Sequence, residues 1–224
     1  MIQEATGQDL DDYLRDNVCR PLGMSSTTFY PFSSEQSPDL MPLRWHSSSG
    51  EPDWAELTNQ QDGLKLPRTR EEIEYPVAGG GIYTRPADYH KLLRHLLHHY
   101  LAATPSPELA LSAATIKTLF EPSLPEGAHA GWSEGLLSKY VVSERTELDW
   151  STGMSILQCK GQQRGRWGRS RGSAGWLGAP GIDYWIDPTK RVAVVLGTQL
   201  LPVGDALVQE FTIAAETLLY KLLQ

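Results

Sequence analysis

Cysteine is nearly absent from this chain: Cys19 and Cys159 are the two among 224 residues. Two cannot build a disulfide framework, and they point to reduced thiols in a cytosolic protein. Long apolar runs are lacking too. None approaches the ~20 residues that a membrane-spanning helix needs, so no membrane partner is expected. Residues 1–10 hold neither a basic cluster nor an apolar stretch, and no secretory signal is expected there. Positive charge is in deficit, with 20 Lys and Arg against 27 Asp and Glu and a net charge of −7. Phosphate backbones need a basic field, so nucleic acid is disfavoured as a partner. What remains is ordinary globular material, 40% apolar and 21% charged, long enough to bury a real core.

Helical periodicity opens the chain. Leu10, Tyr13, Leu14 and Val18 share one face, Asp9, Asp11 and Asp12 crowd the first turn where the helix dipole favours acids, and Pro21 and Gly23 end the helix. Residues 1–5 read as the last turn of an earlier helix, which suggests sequence upstream. Residues 31–75, rich in Ser, Pro, Asp and Glu, read as a long irregular excursion of the kind that forms lids or binding loops. Gly79-Gly80-Gly81 then permits left-handed backbone or close approach. It is not a phosphate loop, because no Gly-Lys-Ser/Thr follows it and no strand-like run precedes it. Helices are predicted over 86–102, with Tyr89, Leu92, Leu93, Leu96, Leu97 and Tyr100 on one face, and over 112–119.

The last third changes character. Residues 131–142 read as a strand region. Residues 173–178, 182–187 and 192–198 read as short strands joined by turns at Ala179-Pro180-Gly181 and Asp187-Pro188-Thr189-Lys190. An amphipathic helix over 205–224 closes the chain. Helices first, then an antiparallel meander with a closing helix, predict an α/β fold of α+β layers, with a helical region and long loop over 1–130 and sheet strands over 131–224.

Three clusters invite chemistry. His90, His95, His98 and His99 lie on one helix, and His95 and His99, four apart, could share a ligand face. The further ligands and carboxylate partner that a zinc site needs are not evident, so a solvated polar face is expected and no metal. Gly168-Arg169-Ser170-Arg171-Gly172 matches a nucleophile elbow in letters only: the preceding residues are polar and no helix pattern follows. Lys160, Arg164, Arg166, Arg169 and Arg171 surround Trp167. This basic and aromatic mixture could bind single-stranded nucleic acid or an acidic partner, and reads better as a solvated loop.

Several pieces fall in a telling order: Glu4-Ala5-Thr6-Gly7, Pro21-Leu22-Gly23-Met24, Gly79-Gly80-Gly81-Ile82-Tyr83-Thr84-Arg85-Pro86-Ala87-Asp88-Tyr89, Trp176-Leu177-Gly178, Tyr184-Trp185-Ile186-Asp187-Pro188, and Gln199-Leu200-Leu201-Pro202 with Gly204-Asp205. The series resembles the serine β-lactamase-like family, in particular its class C-like esterases and the transesterase branch that includes lovastatin-type acyltransferases. The resemblance implies an antiparallel sheet flanked by helices and an active site of three motifs: Ser-x-x-Lys, a proton-shuttling Tyr motif, and a sheet-strand motif beside the oxyanion hole.

Only the third motif is matched. The resemblance assigns it to Trp176, Leu177 and Gly178, with Ala179 presenting an oxyanion N–H; Leu177 departs from the usual Thr or Gly. Gly80, Gly81, Tyr83, Trp167 and Ser173 are further candidate substrate contacts. Lys65, Lys91, Lys117, Lys139, Lys160, Lys190 and Lys221 are preceded at three positions by Asp62, Asp88, Ala114, Leu136, Leu157, Asp187 and Leu218, so Ser-x-x-Lys does not occur in these residues. In the family both absent motifs precede the segment matching 1–7, and the chain is expected to begin downstream of them. The expected function is the C-terminal part of a serine acyltransferase or esterase. It would move an acyl group, from a thioester or carrier-bound donor, to a small-molecule acceptor of secondary-metabolite type, with no cofactor. The alternatives are an inactive remnant acting as a binding module, and a simple ester or β-lactam hydrolase.

Overall fold

The structure is a computed structural model that describes residues 1–32, 40–46, 69–125, 128, 148–158 and 168–224. The chain begins with α1 (Ile2–Thr6), which ends at Gly7 in the left-handed region. A continuous helical run follows: α2 (Leu10–Leu14), a π-helical turn (Arg15–Cys19) and α3 (Arg20–Leu22), closed by left-handed Gly23. Asp9 caps α2 by accepting the Asp11 N–H. Asp11 does more than complement the helix dipole. It is buried, and its Oδ1 accepts the Thr28 hydroxyl (2.7 Å) and the Phe29 N–H (2.6 Å). Burial, followed by the charges of Asp11 and Asp88, pushes the Cys19 thiol up, so it stays protonated and structural.

After β1 (Arg44–Trp45) come α4 (Pro86–Ala102) and α5 (Ala113–Thr118). Then follow β2 (Leu148–Trp150), β3 (Ser155–Leu157), β4 (Ala174–Gly178), β5 (Ile182–Asp187), β6 (Val192–Leu196), β7 (Leu200–Leu201) and α6 (Ala206–Leu222). The predicted helix over 86–102 and the strand over 182–187 form with those bounds. The predicted strand over 131–142 lies outside the described residues. Strands β2 to β6 form one antiparallel sheet in sequence order, while β1 pairs in parallel with β7.

The register assigns the faces of the sheet, since cross-strand partners point the same way. Trp176 pairs with Tyr184, Ala174 with Ile186, Ile186 with Ala193 and Tyr184 with Val195. This face meets Leu93, Leu96 and Leu97 of α4 and Ile116 of α5 in the main core, together with Phe120, Met154 and Ile156. The opposite face carries Asp183, Trp185 and Asp187, and α6 lies on it.

That second face inverts the expectation for the closing helix. An amphipathic helix normally buries its apolar stripe. Here Thr212, Glu216 and Tyr220 are the buried residues of α6, and Leu207, Phe211, Leu218 and Leu222 are exposed. The reason is the charge on the sheet. Arg169, expected on a solvated loop, is instead buried; its Nε donates to Glu216 Oε2 (2.8 Å) and its Nη2 to Asp183 Oδ2 (2.9 Å). Its guanidinium lies 3.8 Å from the centre of the Trp185 ring. Burial by itself would lower the Arg169 pKa; the two carboxylates override that and raise it. Beside it, Asp187 accepts the Ser170 N–H (2.9 Å) and the Tyr220 hydroxyl (2.8 Å) on Oδ2, and the Lys190 N–H (3.0 Å) on Oδ1. The Tyr220 oxygen in turn accepts Trp185 Nε1–H (3.1 Å). Burial and Asp187 push the Tyr220 phenol up, so it remains a donor.

Replacing Arg169 strands two buried carboxylates. Arg169→Met is expected to cost about 3–5 kcal/mol in urea unfolding, the usual range for breaking a buried ion pair from one side. Arg171→Ala, at an exposed position two residues on, is expected to stay within about 0.5 kcal/mol.

Candidate functional site

Strand β4 reaches its functional end through Gly175. A Cβ there would stand 2.2 Å from the Tyr184 carbonyl oxygen and 2.8 Å from Trp185 Cα, so only glycine lets β4 lie this close to β5. On the other side, the register of β3 with β4 stops at Ser155 opposite Gly175, where the Ser155 hydroxyl also donates to the Gly175 carbonyl (2.5 Å). Among the described residues, Trp176, Leu177 and Gly178 are ladder-paired to β5 alone. The strand motif therefore lies along a ladder edge that β3 does not cover, within an otherwise interior strand.

Aromatic rings wall this edge. Trp176 meets Trp150 of β2 in a T-shaped contact, ring centres 4.5 Å apart. Tyr184, the register partner of Trp176, stands edge-on to Tyr89 of α4 at 5.0 Å. Burial, followed by mutual interaction, pushes the Tyr89 phenol up; burial also raises that of Tyr184. Both phenols stay protonated at neutral pH, and their rings pack against each other between α4 and the sheet. Ala179 follows at the strand's end, exposed, and its N–H is not used in the turn's own hydrogen bond, which runs from Gly181 N–H to Gly178 C=O (3.1 Å). Gly181 is left-handed (φ 75°), and a Cβ there would meet Thr198 Oγ1 at 2.3 Å.

The other predicted contacts are distributed differently. The Gly79–Gly81 turn uses no left-handed backbone: Gly80 and Gly81 donate to the Val77 carbonyl, and only Gly81 is approached closely, with Val77 O at 3.0 Å from a Cβ position. Tyr83 exchanges backbone hydrogen bonds with Thr28, and the chain then enters α4, whose Tyr89 contacts the sheet. Ser173 is buried, with its hydroxyl donated to the Ser170 carbonyl (2.8 Å). Ser170 is buried as well, and Gly172 is followed by β4 rather than a helix, so Gly168–Gly172 is no nucleophile elbow. Trp167 lies outside the described residues.

The segment 199–205 has a defined partner. Arg44 N–H donates to Gln199 O (2.8 Å) and His46 N–H to Leu201 O (2.7 Å). His46 Nδ1 stands 2.5 Å from Asp205 Oδ2, while Asp205 Oδ1 caps α6 through the Leu207 and Val208 N–H groups. Residues 44–46, within the predicted excursion, are thus latched to the strand that leads into α6.

Sequence reasoning did not anticipate Trp150, which sits in a strand too short to show a period, nor the pairing of Tyr89 with Tyr184. It also placed no carboxylate by the histidines, yet Glu108, in the turn after α4, comes within 3.9 Å of His95 Nε2 and 4.0 Å of His99 Nε2.

An antiparallel sheet between two helical layers is the architecture of the β-lactamase/transpeptidase-like fold. The family model described as Beta-lactamase matches residues 1–218, and the chain belongs to that family. It is 25% identical to the ML-236A carboxylate methylbutanoyltransferase mlcH of Penicillium citrinum, over 98% of this chain and 50% of the relative. Monacolin J acid methylbutanoyltransferase of Aspergillus terreus is 26% identical, over 98% of this chain and 51% of the relative. Among solved structures, a simvastatin synthase mutant (LovD6) from Aspergillus terreus superposes with a TM-score of 0.79 at 23% identity, covering 100% of this chain and 52% of that one. EstCE1, a hydrolase with promiscuous acyltransferase activity, superposes with a TM-score of 0.65 at 18% identity, covering 98% and 52%. The chain spans about half the length of the curated relatives it matches.

Gly175→Ala is expected to cost about 3 kcal/mol or more, because a backbone carbonyl cannot yield as a side chain can. Gly80→Ala, where a Cβ meets nothing within 4 Å, is expected to be neutral within about 0.5 kcal/mol. Thermal unfolding of the two variants reads the contrast.

Proposed function

We propose that this chain supplies the oxyanion-strand half of a serine acyltransferase that transfers a short acyl group from a thioester or carrier-bound donor to a small-molecule acceptor of secondary-metabolite type. The observation that carries this reading is the motif strand Trp176–Gly178, which among the described residues is ladder-paired on one side only and ends in Ala179, within a chain of the β-lactamase family. The acyl group and acceptor class are suggested by the methylbutanoyltransferase relatives.

In this reading the nucleophile and its base stand on a segment outside these 224 residues, since Ser-x-x-Lys does not occur within them. The serine attacks the donor carbonyl, and the Ala179 N–H donates to the developing oxyanion. The thiol leaves with a proton; the acceptor hydroxyl then gives its proton to the base and attacks the acyl-enzyme, the seryl ester bond breaks, and the serine leaves reprotonated. Trp176 and Trp150 line the acyl side, and the latch of Arg44–His46 onto 199–205 holds part of a cover that keeps water from the acyl-enzyme. The exposed Leu207, Phe211, Leu218 and Leu222 of α6, with the outer edge of β6, form the surface on which the nucleophile-bearing segment packs.

The test uses the protein as its native cells make it, incubated with a methylbutanoyl thioester and followed by intact-mass and peptide analysis. One methylbutanoyl group on a serine of a Ser-x-x-Lys outside residues 1–224 is expected. Ala179→Pro, which removes the oxyanion donor, is expected to slow acylation by about 10²–10³-fold. An adduct on Ser170 or Ser173, or a native product of only these 224 residues that forms no adduct, overturns the reading.

A further inference from the structure

The histidine cluster of α4 acquires in three dimensions what its sequence lacked. His95 and His99 are one helical turn apart, and their rings lie 4.4 Å centre to centre. The chain leaves α4 through left-handed Ala103 and turns back, closing with the Ser106–Leu111 bridge. That reversal sets Glu108 over the two rings, with Oε2 3.9 Å from His95 Nε2 and 4.0 Å from His99 Nε2. All three donor atoms lie within 4.8 Å of one another. We propose that His95, His99 and Glu108 form a binding site for a zinc-class divalent cation, which fastens the turn 103–111 to the end of α4.

The donor chemistry fits. Two imidazoles and one carboxylate are a borderline-soft set suited to Zn²⁺, and three protein ligands leave a coordination position for water. A tetrahedral centre with bonds of about 2.0–2.1 Å spaces its donors by roughly 3.3–3.4 Å. The two Glu108 separations need to close by about 0.5–0.7 Å, which the half-exposed Glu108 side chain can supply, and the two imidazole donors, within 4.8 Å of each other, close the rest by ring rotation. Outer contacts are in place as well. His99 Nδ1 pairs with the Thr104 hydroxyl (3.0 Å), which fixes the ring and leaves Nε2 for the metal. His95 Nε2 is held 2.6 Å from the Ser106 hydroxyl, which a cation would displace; Ser106 Oγ keeps the Leu109 N–H (3.2 Å). The His95 and His99 side chains are mostly covered, at 15% and 12% exposure, so their orientation is set by packing rather than by solvent. The remaining histidines of the helix serve elsewhere: His90 Nε2 meets the Ala193 carbonyl (3.1 Å), and His98 is exposed.

The experiment titrates Zn²⁺ by calorimetry into the chelator-stripped protein at the length its native cells make, carrying no polyhistidine tag, with Co²⁺ as a visible-absorption probe. One equivalent is expected to bind, and Co²⁺ is expected to develop the intense d–d bands of a four- or five-coordinate nitrogen and oxygen site. His99→Ala and Glu108→Gln are each expected to weaken binding by more than the roughly 10–100-fold that loss of an outer-sphere partner costs. His98→Ala is expected to leave it unchanged. Zn²⁺ should also raise the thermal midpoint of the parent chain and not that of Glu108→Gln, a surface change that leaves the fold intact. No stoichiometric binding, or equal affinity in the parent and the His99→Ala and Glu108→Gln variants, overturns the proposal.

Discussion

The burial of charge between the sheet and its closing helix is the constraint on which the rest of this structure depends. Arg169, Asp183 and Glu216 are removed from water together, and Asp187 beside them takes hydrogen bonds from Ser170, Lys190 and Tyr220. A desolvated carboxylate costs several kcal/mol unless its lone pairs are satisfied, so these partners have little freedom to rearrange. They tie three separate pieces of chain to one another: the residues leading into β4, strand β5, and helix α6. Fixing the approach to β4 fixes the direction in which its far end, Trp176 to Ala179, projects.

The same constraint explains the orientation of α6. Glu216 and Tyr220 must face the charged side of the sheet, and this turns the leucine and phenylalanine stripe outward. An exposed stripe of this kind, beside a strand whose outer edge has no ladder partner among the described residues, is a surface suited to further protein. It accords with a chain that spans half of its relatives' length. The other face of the sheet shows the usual economy of a core, with Leu93, Leu96 and Leu97 at helical spacing meeting Ile156, Ala174 and Ile186.

The motif strand illustrates how a site can be made from backbone. Gly175 permits close contact with β5, the early end of the β3 ladder uncovers one edge, and the turn at Gly178–Gly181 stops the strand so that Ala179 stands at its tip. None of these features requires a reactive side chain. In the proposed reading the requirement is for fixed dipoles beside an oxyanion, and a strand end held by its neighbours is a place where such dipoles need not reorganise.

The sequence by itself determined the elements whose signal is local. Leucines at helical spacing after Pro86 defined α4, turn residues at Gly181 and Pro188 bounded β5, and the ordered set of short motifs marked the family and the strand Trp176–Gly178. Tertiary structure decided what depends on distant partners. Arg169 reads as one more cation in a polar stretch until Asp183 and Glu216 close around it. Strands β2 and β3, three residues each, are too short to show a period and exist because the sheet completes them. Glu108 joins His95 and His99 only because the chain reverses at Ala103. Periodicity reports which way a residue faces along its own element. Charge pairing, register and ligand sets are relations between elements, and only the folded chain brings those elements within reach.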